Sequence, residues 1–275
     1  MWTWNSDPSV VLGIGALSAL YFLAAGRWRA RLGGPPAPDR RRLWLFAAAM
    51  ATLILALMSP IETLADTRSF MVHVFQHMLL TLVFPPLLIA ATPPWMLRPL
   101  LRPARVMALA RVLTRPLPAY LGFNVVFAVA HVPVVFNLVQ ASEARHAVEH
   151  LLFIATAVLM WWPILSPLPE LPRLPYPGQL LYLFVQTLVG GVLIGALVTL
   201  SPRPVYDLYA SGPGPWGWSP LVDQQAGGLL MWVGGGSYFL AALAVVFFRW
   251  AAADAREQRP SAPAHPATPA EGRAR

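Results

Sequence analysis

Two imidazoles, His73 and His77, stand four residues apart in FMVHVFQHMLL, and a second pair with the same spacing, His146 and His150, stands in RHAVEHLLF. On an α-helix an i,i+4 pair lies on one face about a turn apart, the geometry in which two imidazoles share a metal ion. His131, in HVP, offers a ring from a third segment. The chain has no cysteine, which excludes disulfides and thiolate sites and leaves histidine, methionine, carboxylate and backbone as ligands. A single neutral histidine in an apolar helix more often packs and hydrogen-bonds than binds metal. The grouping of five out of six, His73, His77, His131, His146 and His150, is what points to a metal site.

The elements that must hold these rings are helices in a membrane. Of 275 residues, 57% are hydrophobic and 12% charged, too apolar a balance for a water-soluble domain of this length. Seven apolar runs are long enough to cross a hydrocarbon core of ~30 Å at 1.5 Å per residue. They cover residues 10–26, 43–59, 70–91, 117–138, 147–165, 179–200 and 226–248. The net charge of +8 does not signal nucleic acid, because there is no lysine and the 20 arginines are sorted between the runs. Six lie after the first run in RWRARLGGPPAPDRRR, five after the third in RPLLRPARVMALARVLTRP, and five from Arg249 onward. The alternate loops hold only Arg68, Arg145 and Arg203, each near acidic residues.

The positive-inside bias therefore places the N-terminus outside and the C-terminus in the cytoplasm, in agreement with an odd number of runs. The opening MWTWNSDPSV lacks the basic region and cleavage site of a secretory signal, so the first run is expected to stay as a helix. The expected architecture is all-α: a polytopic bundle of seven transmembrane helices over residues 1–252, multi-pass in a bacterial plasma membrane. A cytoplasmic tail follows, residues 253–275, rich in proline, alanine and charge and unable to bury a core. His265 lies in that tail and has no part in the site. Reporter fusions check the arrangement. A cytoplasmic reporter is expected to be active at Pro36, and an active periplasmic reporter there would overturn it.

This topology puts all five imidazoles in the outer leaflet. At the head of the last run, DQQAGG brings Asp223 and Gln224 to the same depth, where a carboxylate can orient an imidazole or neutralise a cation; Glu149 stands in the same position between His146 and His150. Met71 and Met78 fall off the His73/His77 face and read as packing residues. Met58 and Met231 are weaker candidates for a thioether ligand. Pro85, Pro86 and Pro133 each remove a backbone donor within a run and favour a kink. Gly191 and Gly195 form a small-xxx-small pair suited to close helix approach. Tyr206, Tyr209, Trp216 and Trp218, in the longest outer loop, read as an aromatic belt at the interface. The Arg98 to Arg115 segment alternates arginine with apolar residues and is expected to lie on the inner bilayer surface, near anionic headgroups.

Together, HVFQHMLL followed by Pro85 and Pro86, HVP from His131, HAVEH from His146, WWP from Trp161, and DQQAGGLLMW from Asp223 to Trp232 resemble the CtaG family of caa-type cytochrome c oxidase assembly proteins. The likeness runs over about residues 43–248. It implies a seven-span plasma-membrane protein needed to assemble the oxidase, with oxidase subunits as partners and a role in supplying or inserting copper. A different copper-delivery protein shares the name but has one span and paired cysteines, and this cysteine-free chain does not match it.

HAVEH also fits the inverted H-x-x-E-H zinc-protease signature, with His146 and His150 as ligands and Glu149 as general base. Five residues match often by chance, and a protease needs a third ligand and a water-filled site. Glu143 is too near in sequence to supply that ligand. Two histidines on facing helices could instead hold haem. The residues best support a non-enzymatic assembly factor that binds copper transiently through outward-facing imidazoles, loaded by a periplasmic copper donor, with zinc and haem behind copper. Imidazole without thiol suits an oxidising compartment and holds Cu(II), or Cu(I) with thioether help.

Overall fold

A computed structural model describes residues 4–258; it is all-helical, with no strand among the described residues. Helix α1 (Pro8–Ala25) starts where the Asp7 carboxylate accepts the Ser9 N–H at 2.7 Å, and α2 (Arg40–Leu57) where Asp39 accepts from Arg41 and Arg42. An eight-residue helix, α3 (Pro60–Thr67), then turns 41° away from α2. Helix α4 (Phe70–Met78) continues through a π-helical turn, Leu79–Val83, into α5 (Phe84–Ala91). The arginine-rich connection holds α6 (Pro94–Leu97) and α7 (Ala104–Leu113). Next come α8 (Pro116–Ala130), α9 (Pro133–Gln140), α10 (Glu143–Leu165) and α11 (Tyr176–Leu200). Finally, α12 (Pro220–Leu229) passes through a second π turn, Leu230–Gly234, into α13 (Gly235–Glu257).

Five helical stretches are long and apolar enough to cross a membrane, or up to seven if α2 with α3 and α7 with α8 each count as one bent span. The sequence predicts seven runs with a kink at Pro133 in the fourth, and the fourth is indeed divided there. Pro133 has no N–H for the helical ladder and opens α9, so α8 ends at Ala130. Its 15 residues rise only about 22 Å. The last run also begins earlier and ends later than predicted, so Asp223 and Gln224 sit inside a helix and residues 253–257 continue it. The remainder of the expected tail, with His265, lies outside the described residues.

The prolines of the third run are accommodated rather than breaking it. Pro85 and Pro86 cannot donate to the carbonyls of Thr81 and Leu82 four residues earlier. Trp161 Nε1–H on α10 donates to the Thr81 oxygen at 3.0 Å, and the Tyr238 hydroxyl on α13 donates to the Leu82 oxygen at 2.6 Å. Two neighbouring helices thus satisfy the freed acceptors and are fastened to the π turn.

Glycine sets the closest approaches. A Cβ on Gly227 would stand 2.5 Å from the Phe70 ring, so α12 lies directly on the start of α4. One on Gly195 would stand 2.9 Å from the Gly228 carbonyl, the tight α11–α12 contact that the small-xxx-small spacing predicts. The outward surface is apolar, with Leu12, Leu20, Leu197 and Phe248 exposed, as bundles facing lipid require.

Candidate metal centre

Helix α10 packs along α5 and the π turn that follows α4, and the histidine pairs of α4 and α10 come together across that junction. The ring centroids of His73 and His77 are 4.2 Å apart, as are those of His146 and His150. Across the helices, His73 to His146 is 5.7 Å and His77 to His150 is 5.2 Å. All four rings are buried. One ligand nitrogen each from His73, His77 and His146 lies within 4.8 Å of the others, close enough to bind a single ion. His73 Nδ1, His77 Nε2, His146 Nε2 and His150 Nε2 are buried without a hydrogen-bond partner, and so is Glu149 Oε2, 3.9 Å from His146 Nε2. Buried polar atoms normally have partners, because an unmet one costs ~1–3 kcal/mol. Five in one place make this cluster the candidate site for something cationic or polar.

The start of α4 is fixed by groups the sequence assigns elsewhere. Ser69 caps the helix through the Val72 N–H, and its hydroxyl donates to Asp223 Oδ1 at 2.5 Å. Asp223 Oδ2 accepts the Phe70 N–H at 2.6 Å and the Met71 N–H at 3.4 Å. A carboxylate on a helix N-terminus is favourable by charge as well as by hydrogen bonding. Asp223 therefore acts on the histidines through the helix that carries them; its hydrogen bonds go to Ser69, Phe70 and Met71 and not to an imidazole. Gln224 accepts the Val205 N–H at 2.7 Å and donates to the carbonyls of Val198 and Arg203, which holds the loop after α11.

That loop corrects the aromatic-belt expectation for two of its four rings. Tyr206 and Tyr209 are buried over the histidines: Tyr206 stacks on Phe70 at 4.8 Å, its hydroxyl donates to the His131 carbonyl at 3.1 Å, and the Tyr209 hydroxyl donates to the Ala65 carbonyl on α3. Trp216 and Trp218 stay exposed.

His131 and His150 lie outside the group of three. His131 Nδ1–H donates to the Phe127 carbonyl at 2.7 Å, which leaves Nε2 as its free acceptor. It shares with His77, Met78, Gln186 and Met231 the lining of a cavity of about 50 Å³ below the trio. That volume takes an ion or a few waters, against the ~300–1,000 Å³ of sites for larger ligands.

Two further carboxylates, which no metal-binding motif in the sequence singles out, stand beside the trio. Glu62 and Asp66 lie on one face of α3, which folds over the outer side of the trio; with His146 they form a second group of ligand atoms within 4.8 Å of one another. Asp66 Oδ1 is 3.3 Å from His146 Nδ1, and Gln76 Nε2 on α4 donates to Glu62 Oε2. The signal was present in SPIETLAD. Serine, proline at the first helical position and glutamate three residues after the serine announce a helix start, and Glu62 and Asp66 then fall at i,i+4.

Fold and site thus define a polytopic helical protein with a buried imidazole cluster between two helices. The model of the cytochrome c oxidase caa3 assembly factor family (Caa3_CtaG) matches residues 19–253, and the chain belongs to that family. Two curated relatives, the uncharacterized proteins Mb0105 of Mycobacterium bovis and MT0111 of Mycobacterium tuberculosis, are each 25% identical over 244 residues. The match covers 83% of this chain but 36% of either relative, so the chain spans about a third of their length. No solved structure matches.

Proposed function

We propose that this protein assembles a cytochrome c oxidase in the bacterial plasma membrane by receiving copper at His73, His77 and His146 and passing it to the oxidase. The observation that carries this reading is the grouping of three imidazole nitrogens within 4.8 Å, two of them, on His77 and His146, with no partner on Nε2. Copper is the cargo here. Neutral imidazole suits Cu(II) and, with a thioether nearby, Cu(I), and Met231 lines the adjoining cavity. Three ligands with few others hold an ion without enclosing it, which suits transfer better than permanent storage. His150 and Glu149 stand beside the trio, each with a buried polar atom free of any hydrogen bond, so both are spare groups able to face the ion. The arginine-rich α6–α7 segment rests on anionic headgroups at the cytoplasmic face, and the buried histidines then lie towards the periplasm, the side from which a copper donor delivers.

Metal analysis of the detergent-purified chain tests this directly. After exposure to copper and removal of excess, about one copper per chain is expected, with Cu(II) showing nitrogen ligation by electron paramagnetic resonance. Zinc retained in preference to copper, with hydrolysis of a peptide, would favour a protease built on His146, Glu149 and His150. A haem absorbance band would favour axial histidines.

A further inference from the structure

We infer that Glu62, Asp66 and His146 form an outer cation station through which a metal ion reaches the buried imidazole trio, with His146 the ligand common to both. This rests on the trio being a copper site. The two groups of ligand atoms are each within 4.8 Å and share only His146. They differ in depth and in chemistry. The Asp66 side chain is 36% exposed where that of His146 is 8%, and Glu62 is likewise only partly buried, so a hydrated ion meets the carboxylates first. The inner ligands are uncharged nitrogens.

The outer groups are aimed rather than merely near. Asp66 Oδ1 is a buried atom with no hydrogen-bond partner, 3.3 Å from His146 Nδ1, and His146 Nε2, on the far side of the same ring, is also unpartnered. The ring therefore presents one nitrogen to each station. Helix α3 is held in place by the Ser59 cap and by the Tyr209 hydroxyl on the Ala65 carbonyl. Gln76, between His73 and His77 on α4, holds Glu62 through its Nε2–H.

Two carboxylates neutralise a divalent ion as it sheds water, which lowers the cost of bringing it into an apolar bundle. The ion then moves by ligand exchange: carboxylate oxygens and His146 Nδ1 release it as nitrogens of His73 and His77 and His146 Nε2 bind, while the ring proton shifts from Nε2 to Nδ1 by exchange with water. No electron is transferred, and the two carboxyl groups, freed of the ion, are left in place for the next one. Glu149, buried beside His146, keeps one negative charge near the ion once it has moved in.

The test is the rate of Cu(II) loading set against equilibrium affinity, on the full chain in detergent. Asp66→Asn is the first variant, because Asp66 is half-exposed and its Oδ1 anchors nothing; Glu62→Gln with Asp66→Asn is the second. Since a focused negative field raises association rates ~10–10³-fold, loading is expected to slow by at least about tenfold. Copper stoichiometry and nitrogen ligation at the trio should be unchanged, with helicity as the check on fold. An unchanged loading rate in both variants removes the outer station and leaves the trio standing. Loss of equilibrium binding in folded Asp66→Asn would make the carboxylate a permanent ligand of one site, and the two-station scheme is then wrong. A wild-type chain that binds no copper defeats the reading of the trio itself.

Discussion

The chain carrying His73→Ala and His77→Ala is expected to insert and fold but to lose copper affinity by on the order of 10³-fold or more, and cells carrying it to assemble little oxidase. The expected size follows from what the two rings do. Even a hydrogen-bond partner behind a ligand is worth ~10–100-fold in metal affinity. Here two of three ligands go, both from α4, leaving His146 with His150 on a single helix. The loss should not spread through the fold, because α4 is anchored elsewhere, by Ser69 and Asp223 at its start and by Gln76 to the Ala56 carbonyl. Protein level and insertion are measured beside oxidase activity, and excess copper in the medium should restore part of that activity by mass action. Normal oxidase activity at normal protein level would take this pair out of the mechanism.

The pairs at i,i+4 are legible in the sequence because a helix fixes which residues share a face, and that rule needs no knowledge of neighbours. That α4 and α10 face each other is a tertiary fact, and no periodicity in either helix states it. Asp223 shows the same limit from the other side. Its depth follows from its place in DQQAGG, but a carboxylate at that depth could face an imidazole or a helix terminus, and only the Gly227 approach to Phe70 directs it to the terminus. The break at His131 is signalled by Pro133. What cannot be read is that Tyr206 crosses the loop after α11 to donate to the His131 carbonyl, a contact 75 residues away. The carboxylates of α3 were hidden for a simpler reason. Eight residues between two long apolar runs look like a connection unless their capping residues are counted.

Glu149→Gln separates a metal carrier from a hydrolase, because the two give its carboxylate different work. In a hydrolase Glu149 takes a proton from water, so its loss preserves metal binding while activity falls by the ~10²–10⁴-fold that a general base contributes. In a carrier the carboxylate only balances charge beside the ion, its Oε2 standing 3.9 Å from His146 Nε2. Copper affinity then drops ~10–100-fold at worst, and oxidase assembly falls in step with bound copper. The buried position strengthens the contrast, since glutamine keeps the volume and removes only the charge. Asp223→Asn is the companion measurement, and the two should differ. Asparagine there weakens charge-assisted bonds to Ser69 and the Phe70 N–H, so its first effect is on stability, about 1–3 kcal/mol, with copper lost only as α4 loosens. The expected pattern is therefore a folded Glu149→Gln chain with weakened copper binding and a destabilised Asp223→Asn chain. A Glu149→Gln chain that binds metal in full and supports no oxidase assembly would place chemistry, and not transport, at this carboxylate.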